Sequence, residues 1–410
     1  MGAGTVRNGS GARAQALAAA LRDARERTLR LYAHLTPGRR RFPPLDVVNP
    51  PDWELGHVGW FQEYWCRRWR RDDPAGAHTP SRLPGADAWF DSRHVPHDTR
   101  WDLPLPEWDE VLGYLAATLD DTLARLPAMH EEDLDRAEMA LLHEDMHGEA
   151  LLMTLQTLAL PGPDGYEEAG LGRAKGGSNR GDDDVAVAGG TIAIGTPAGQ
   201  RERFVWDNER DAHDVDLRPF AIARHPVAAG GFADFVDDGG YREPRWWSRD
   251  AVAWLAASRR EHPAGWRNGL RSGMWEQRVF DRWEPLAAQA PVRHVNAFEA
   301  QAWCRWAGRR LPSEVEWEHA AQLGIADIPG EVWEWTASAF LPYPGFAPGH
   351  YAEYSVPWFG DHRVLRGGSW ATRERLVHRT FRNFYRPGRH DPFVGFRTCA
   401  GEEPQDGVGR

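Results

Sequence analysis

The stretch Ala140-Leu141-Leu142-His143-Glu144-Asp145-Met146-His147-Gly148-Glu149-Ala150 limits what this chain can fold into more than any other. It sits in a helical pattern over about residues 135–158, and a helix places His143 and His147 one turn apart on one face, where both imidazoles can reach one metal ion. Two ligands require a third. His57 is the candidate, because Trp53, His57, Trp60, Phe61 and Tyr64 share a face of another helical stretch. A lone histidine on an apolar face is ordinarily a packed core residue. Three on inward faces favour a metal centre with open positions, and the donor type admits zinc or iron(II). The run His143-Glu144-Asp145-Met146-His147 also fits the H-E-x-x-H pattern of zinc proteases, whose glutamate is the general base. Such a protease wants its third ligand downstream, whereas His57 lies upstream on a separate helix, so the protease reading is disfavoured.

Helical periodicity predicts four helices, over 12–35, 50–70, 107–126 and 135–158, with Pro50-Pro51 suited to the first turn of the second. Inward histidines on the second and fourth describe a bundle that holds a metal between helices. The irregular stretch 72–106 is long for a passive connection, which marks it as functional. Residues 161–184 are rich in glycine and charge and read as a linker. Beyond them short β-like runs, such as Val185-Ala186-Val187 and Thr191-Ile192-Ala193-Ile194, are separated by turns, and one clear helix is expected over 297–307. The expected fold is therefore a multidomain α and α+β chain: a helical metal-binding domain over 1–160, the linker over 161–184 and an irregular α+β domain over 185–405. A chain of 410 residues is long enough for two cores.

The 60 acidic residues outnumber the 49 basic ones, which argues against a nucleic-acid partner. Three widely spaced cysteines suggest neither a disulfide framework nor a thiolate zinc site. No run is long and apolar enough for a membrane, and a soluble, cytoplasmic protein is expected.

Two sets of motifs carry a resemblance. Trp53-Glu54-Leu55-Gly56-His57-Val58-Gly59-Trp60-Phe61, followed by His143-x-x-x-His147, resembles the DinB-like four-helix half of the ergothioneine sulfoxide synthases. Trp206-Asp207-Asn208-Glu209, Pro291-Val292-Arg293-His294-Val295, Arg309-Arg310-Leu311-Pro312-Ser313-Glu314, Val332-Trp333-Glu334-Trp335-Thr336, Arg366-Gly367-Gly368-Ser369-Trp370 and Gly395-Phe396-Arg397 resemble their other half, a formylglycine-generating-enzyme-like domain of the C-type-lectin kind.

The resemblance implies a non-heme iron oxidoreductase with Fe(II) on His57, His143 and His147, O2 as co-substrate, and the small molecule hercynine joined to a sulfur or selenium donor. Tyr351 and Tyr354 resemble the family's Tyr-x-x-Tyr segment, whose first tyrosine donates a proton, and Asn383-Phe384-Tyr385 resembles its substrate-contacting segment. Tyr385 stands where enzymes using γ-glutamylcysteine often carry Asp, and Met146 where a glutamine often precedes the last ligand. These departures, with Trp53 to Trp65 and the segment His97-Asp98-Thr99-Arg100-Trp101, are similar to the selenoneine synthase subgroup, whose donor is a selenosugar. Arg93, His97, Arg100 and Tyr385 would then meet sugar hydroxyls. The alternatives are a thiol-using sulfoxide synthase taking cysteine or γ-glutamylcysteine, a zinc-dependent DinB-type thiol transferase, and a pure binding module. Formylglycine generation itself would need a cysteine pair near Arg366-Gly367-Gly368-Ser369, and residues 370–392 contain none.

Overall fold

The structure, a computed structural model, describes residues 3–40, 42–76, 78–164, 183–199, 203–269 and 274–401. The chain divides into two compact units. The first comprises 1–154 with 201–204, and the second 155–200 with 205–410. Most of the expected linker, 165–182, lies outside the described residues.

The first unit contains helices α1 (Ala3–Ala33), α2 (Pro51–Glu63), the short α3 (Ala86–Phe90), α4 (Trp108–Arg125) and α5 (Glu131–Thr157), the last of which runs on into the second unit. Helix α2 begins on Pro50 and Pro51 as the prolines require, and continues through a π turn over Tyr64–Arg68. Every residue of α2 except Asp52 is buried, including Glu54, His57, Gln62 and Glu63. Buried polar groups are costly without partners, so the bundle must supply one for each. Glu63 accepts from the Tyr114 hydroxyl (2.7 Å) and the Arg82 N–H (2.9 Å). Gln62 accepts from Arg25 at 2.7 Å.

Arg25 is the point at which the bundle is tied. From α1 it donates to both oxygens of Glu144 on α5 (2.8 and 3.1 Å), to the Leu115 carbonyl on α4 (2.6 Å) and to Gln62 on α2. Glycines let the helices close on α2: a Cβ at Gly59 would stand 2.9 Å from Leu115 of α4, and one at Gly56 only 2.2 Å from the Phe90 ring. The stretch 72–106 contains α3 and a 3-10 turn at His97–Thr99.

The second unit is built on two four-stranded sheets. One has the order β1 (Asp184–Val187), β4 (Phe220–Ala223), β13 (Cys399–Ala400), β8 (Arg309–Arg310). The other has β11 (Asn383–Tyr385), β10 (Arg363–Arg366), β9 (Trp333–Ala339), β12 (Val394–Gly395). A hairpin of β2 (Gly190–Ile194) and β3 (His213–Leu217) and a meander of β5 (Trp266–Asn268), β6 (Trp275–Val279) and β7 (Arg282–Pro285) complete the strands. Four helices accompany them: α6 (Ala229–Asp237), α7 (Arg249–Ser258), α8 (Ala297–Trp306) and α9 (Glu314–Gln322). Only α8 was legible from periodicity. Both α8 and α9 open on reciprocal capping boxes, Asn296 with Glu299 and Ser313 with Glu316. The core of the first sheet gathers Val187, Phe220, Ile222, Ala320 and Cys399. All three cysteines are buried, and none is in a disulfide. No helix among the described residues is long and apolar enough to cross a membrane.

Candidate metal centre

Helices α2 and α5 bring His57, His143 and His147 together, with one nitrogen of each within 4.8 Å of the others, and they form the one such cluster of His, Cys or acidic residues among those described. The ring centroids lie 4.5 to 5.1 Å apart. Metal–nitrogen bonds of about 2.1 Å put ligand nitrogens about 3.0–3.4 Å apart, so small ring rotations close the set on an ion.

Each ring is oriented by a different device. His57 donates from Nδ1 to the Phe90 carbonyl (2.7 Å), and Gly56 is what allows Phe90 so close to α2. His147 donates from Nδ1 to Oε1 of Glu54 (2.8 Å), a carboxylate only 1 % exposed. These contacts occupy Nδ1 of both rings and leave Nε2 of each as the nitrogen for a metal. His143 lies flat on Phe61, centroids 3.6 Å apart, and its Nδ1 is buried with no hydrogen-bond partner. Burial, and after it the neighbouring His147, holds His57 and His143 well below the usual imidazole range, so both stay neutral. Three converging imidazoles, two of them held neutral by burial and the third oriented by Glu54, fit a divalent metal and leave further coordination positions for small molecules.

Glu144, the base that a zinc protease would require, has both oxygens engaged by Arg25 and is buried. Its role here is to tie helices together.

The sequence-derived donor-binding residues of the first unit are committed to internal contacts. Arg93 makes a two-pronged pair with Asp91 and donates to the Tyr64 hydroxyl (3.1 Å), with its guanidinium 5.5 Å over Trp60. His97 Nε2 meets the Val48 carbonyl (2.8 Å), and Arg100 donates to Asn49 (2.8 Å) while lying 3.8 Å over Trp53, the ring stacked on His57. The 97–100 turn thus anchors the entry to α2.

In the second unit Tyr354 stacks on Trp206 at 3.8 Å and meets Phe384 edge-on at 5.7 Å, with Tyr351 6.3 Å away. Burial, then Glu209 and Asp207, drives the Tyr354 phenol well above its ordinary range, so it keeps its proton at neutral pH. Asn383, Phe384 and Tyr385 form β11, Phe384 stacks on Phe340 at 4.0 Å, and Arg389 lies 5.2 Å over Tyr385.

Sequence reasoning missed Glu54 and Phe90. Glu54 carried a signal, as a carboxylate in an otherwise apolar turn directly before His57. A backbone carbonyl carries none.

Residues 20–156 match the DinB superfamily model, and 173–325 with 321–401 match the sulfatase-modifying factor enzyme 1-like domain. A helical DinB domain holding three histidines, followed by a sheet-rich formylglycine-generating-enzyme-like domain, defines the class. More specifically, the chain belongs to the hercynine oxygenase family. It is 32% identical to the hercynine oxygenase of Mycolicibacterium smegmatis, covering 93% of this chain and 98% of that protein. It is 35% identical to that of Mycobacterium tuberculosis, covering 93% and 97%. A formylglycine-generating enzyme from Streptomyces coelicolor is 28% identical over 60% of this chain and 96% of its own length.

Proposed function

We propose that this protein is an O2-dependent, iron(II)-requiring enzyme that joins hercynine, through the imidazole carbon between its two nitrogens, to a chalcogen donor. The observation that carries this reading is the set of three converging imidazoles on α2 and α5 in a chain of the hercynine oxygenase family. His57, His143 and His147 would hold the iron, which when bound supplies a site for dioxygen and for the donor's sulfur or selenium. Within the finer reading the donor is a selenosugar and the product leads to selenoneine.

The chain's own residues have distinct tasks in this reaction. Tyr351 donates a proton to reduced oxygen, and Tyr354, whose proton is held by burial, supports it. Asn383 faces hercynine beside Phe384. Tyr385 offers a hydroxyl and a flat ring to a sugar in place of the fixed carboxylate that an amino-acid thiol would need. Arg93, His97 and Arg100 border the donor, and their internal partners hold them as a rigid wall around Trp53 and Trp60.

The test is direct. Anaerobic protein loaded with iron(II) is given hercynine and, in separate vessels, a selenosugar, cysteine or γ-glutamylcysteine, then exposed to air and analysed by mass spectrometry. A selenium adduct that depends on oxygen is expected. Absence of any oxygen-dependent hercynine adduct refutes the reaction, and a sulfur product formed far faster than the selenium one refutes the donor.

A further inference from the structure

Buried arginines in the second unit are paired with carboxylates almost throughout. Arg310 pairs with Glu316, Arg366 with Glu314 and Glu318, Arg382 with Glu314, Arg397 with Glu334 and Arg389 with Asp391. Two half-buried guanidinium groups depart from that pattern. Arg278, on β6, donates to the Thr157 carbonyl (3.3 Å) and makes no ion pair among the described residues. Arg293, just before α8, makes neither a hydrogen bond nor an ion pair among them.

Both arginines line the same partly open cleft, which is walled by Phe280, His294, Trp370 and Phe393. Loss of water lowers both guanidinium groups, Arg293 to about 10, although the carboxylates of Glu331 and Glu284 act on it from beyond ion-pair distance. An arginine cannot relieve this by shedding its proton near neutral pH. A partly desolvated charge without an ion-pair partner is costly.

The backbone of the same cleft is independently unusual. Phe280 (φ 54°) and His294 (φ 60°) are two of the five non-glycine residues in the left-handed region among those described. Phe280 occupies the two-residue turn between β6 and β7, a position that ordinarily takes Asn or Gly, and its ring is buried instead. Its N–H is held by the side chain of Gln156 (2.6 Å), and the His294 ring is held at the His390 carbonyl (3.1 Å). Such conformations are strained and cluster at ligand sites.

We propose that this cleft is an anion site, taking one small oxyanion, free phosphate or the carboxylate of an organic acid, on the guanidinium groups of Arg278 and Arg293. It uses none of the three histidines and does not rest on the proposed reaction.

The test uses the full chain at constant ionic strength, following tryptophan fluorescence, since Trp266 and Trp370 both line the cleft. Inorganic phosphate and acetate are titrated separately. Saturable binding is expected, weakened about tenfold or more in Arg278→Met and in Arg293→Met. It should be unchanged in Arg267→Met, whose guanidinium pairs with Glu276. Saturation by phosphate alone assigns a phosphate ligand, by acetate alone a carboxylate, and by both a general oxyanion site. Where a variant fails to fold, the wild-type chain is treated with phenylglyoxal and its arginine peptides are quantified. Either anion should slow modification of Arg293 at least fivefold and leave Arg267 unaffected. Linear, non-saturating titrations in the wild type, or equal modification of Arg293 with and without anion, overturn the proposal.

Discussion

Replacing Glu54 should weaken the metal centre without unfolding the protein. Its Oε1 accepts from His147 Nδ1 at 2.8 Å, and the residue is 1 % exposed, so the contact is a charge-assisted hydrogen bond shielded from water. The second oxygen lies 3.5 Å from the Tyr32 hydroxyl, a marginal contact, so the carboxylate is oriented chiefly toward the histidine. A carboxylate behind a ligating imidazole fixes its tautomer and raises its basicity, and loss of such a partner costs about 10–100-fold in affinity, or about 1.4–2.8 kcal/mol. Glu54→Gln retains an acceptor oxygen and removes the charge, so about tenfold is expected. Glu54→Leu strands the Nδ1–H in a dry interior, and about a hundredfold is expected. The assay is competition for zinc and for cobalt(II) against a chromophoric chelator, with the visible cobalt absorption reporting coordination and a thermal scan of the metal-free proteins controlling for folding. Wild-type affinity in both variants, with intact melting, would refute the assignment of Glu54 as the group that positions His147.

Four further outcomes are expected. His143→Ala should abolish stoichiometric iron binding, read by metal analysis after desalting, because two imidazoles remain of three. Arg25→Met should lower the stability of the first unit by about 3–5 kcal/mol, read from thermal or urea unfolding, because Glu144 keeps a buried charge without its partner. Tyr351→Phe should slow oxygen-dependent product formation by about 10²–10⁴-fold with hercynine binding retained. For pH, burial holds His294 at about 3 and His390 at about 4. The unfolded chain takes up protons as pH falls through about 6.5 while the folded one does not, so stability is full above that pH and lost below it, by at most about 1.4 kcal/mol per unit per histidine. For His390 the loss runs down to pH about 4, and for His294 to about 3. A joint His294→Gln, His390→Gln variant should show a flatter melting-temperature profile between pH 6.5 and 4.5, and an unchanged slope would refute the linkage.

The parts of this protein that were legible from sequence are those encoded by periodicity. A helix repeats its face every three to four residues, so the inward placement of His57, His143 and His147 could be read from their spacing among apolar neighbours. Helix α8 was readable for the same reason. Helix α6 was not, because Gly230 and Gly231 at its start dilute the pattern, and α9 was passed over although Ser313 and Glu316 spell a capping box. The partners that orient the histidines belong to another category. Phe90 acts through its backbone carbonyl, Glu54 reaches a histidine 93 residues away, and Arg25 meets a carboxylate 119 residues away. Nothing in the sequence relates Arg278 to Arg293, and it is folding that places both in the lining of one cleft that no carboxylate lines. Sequence alone determined which residue types face inward, since burial follows from periodicity. Only the tertiary structure decided which nitrogen of each histidine is left free and which charges lack a partner, because those depend on groups that approach from distant parts of the chain.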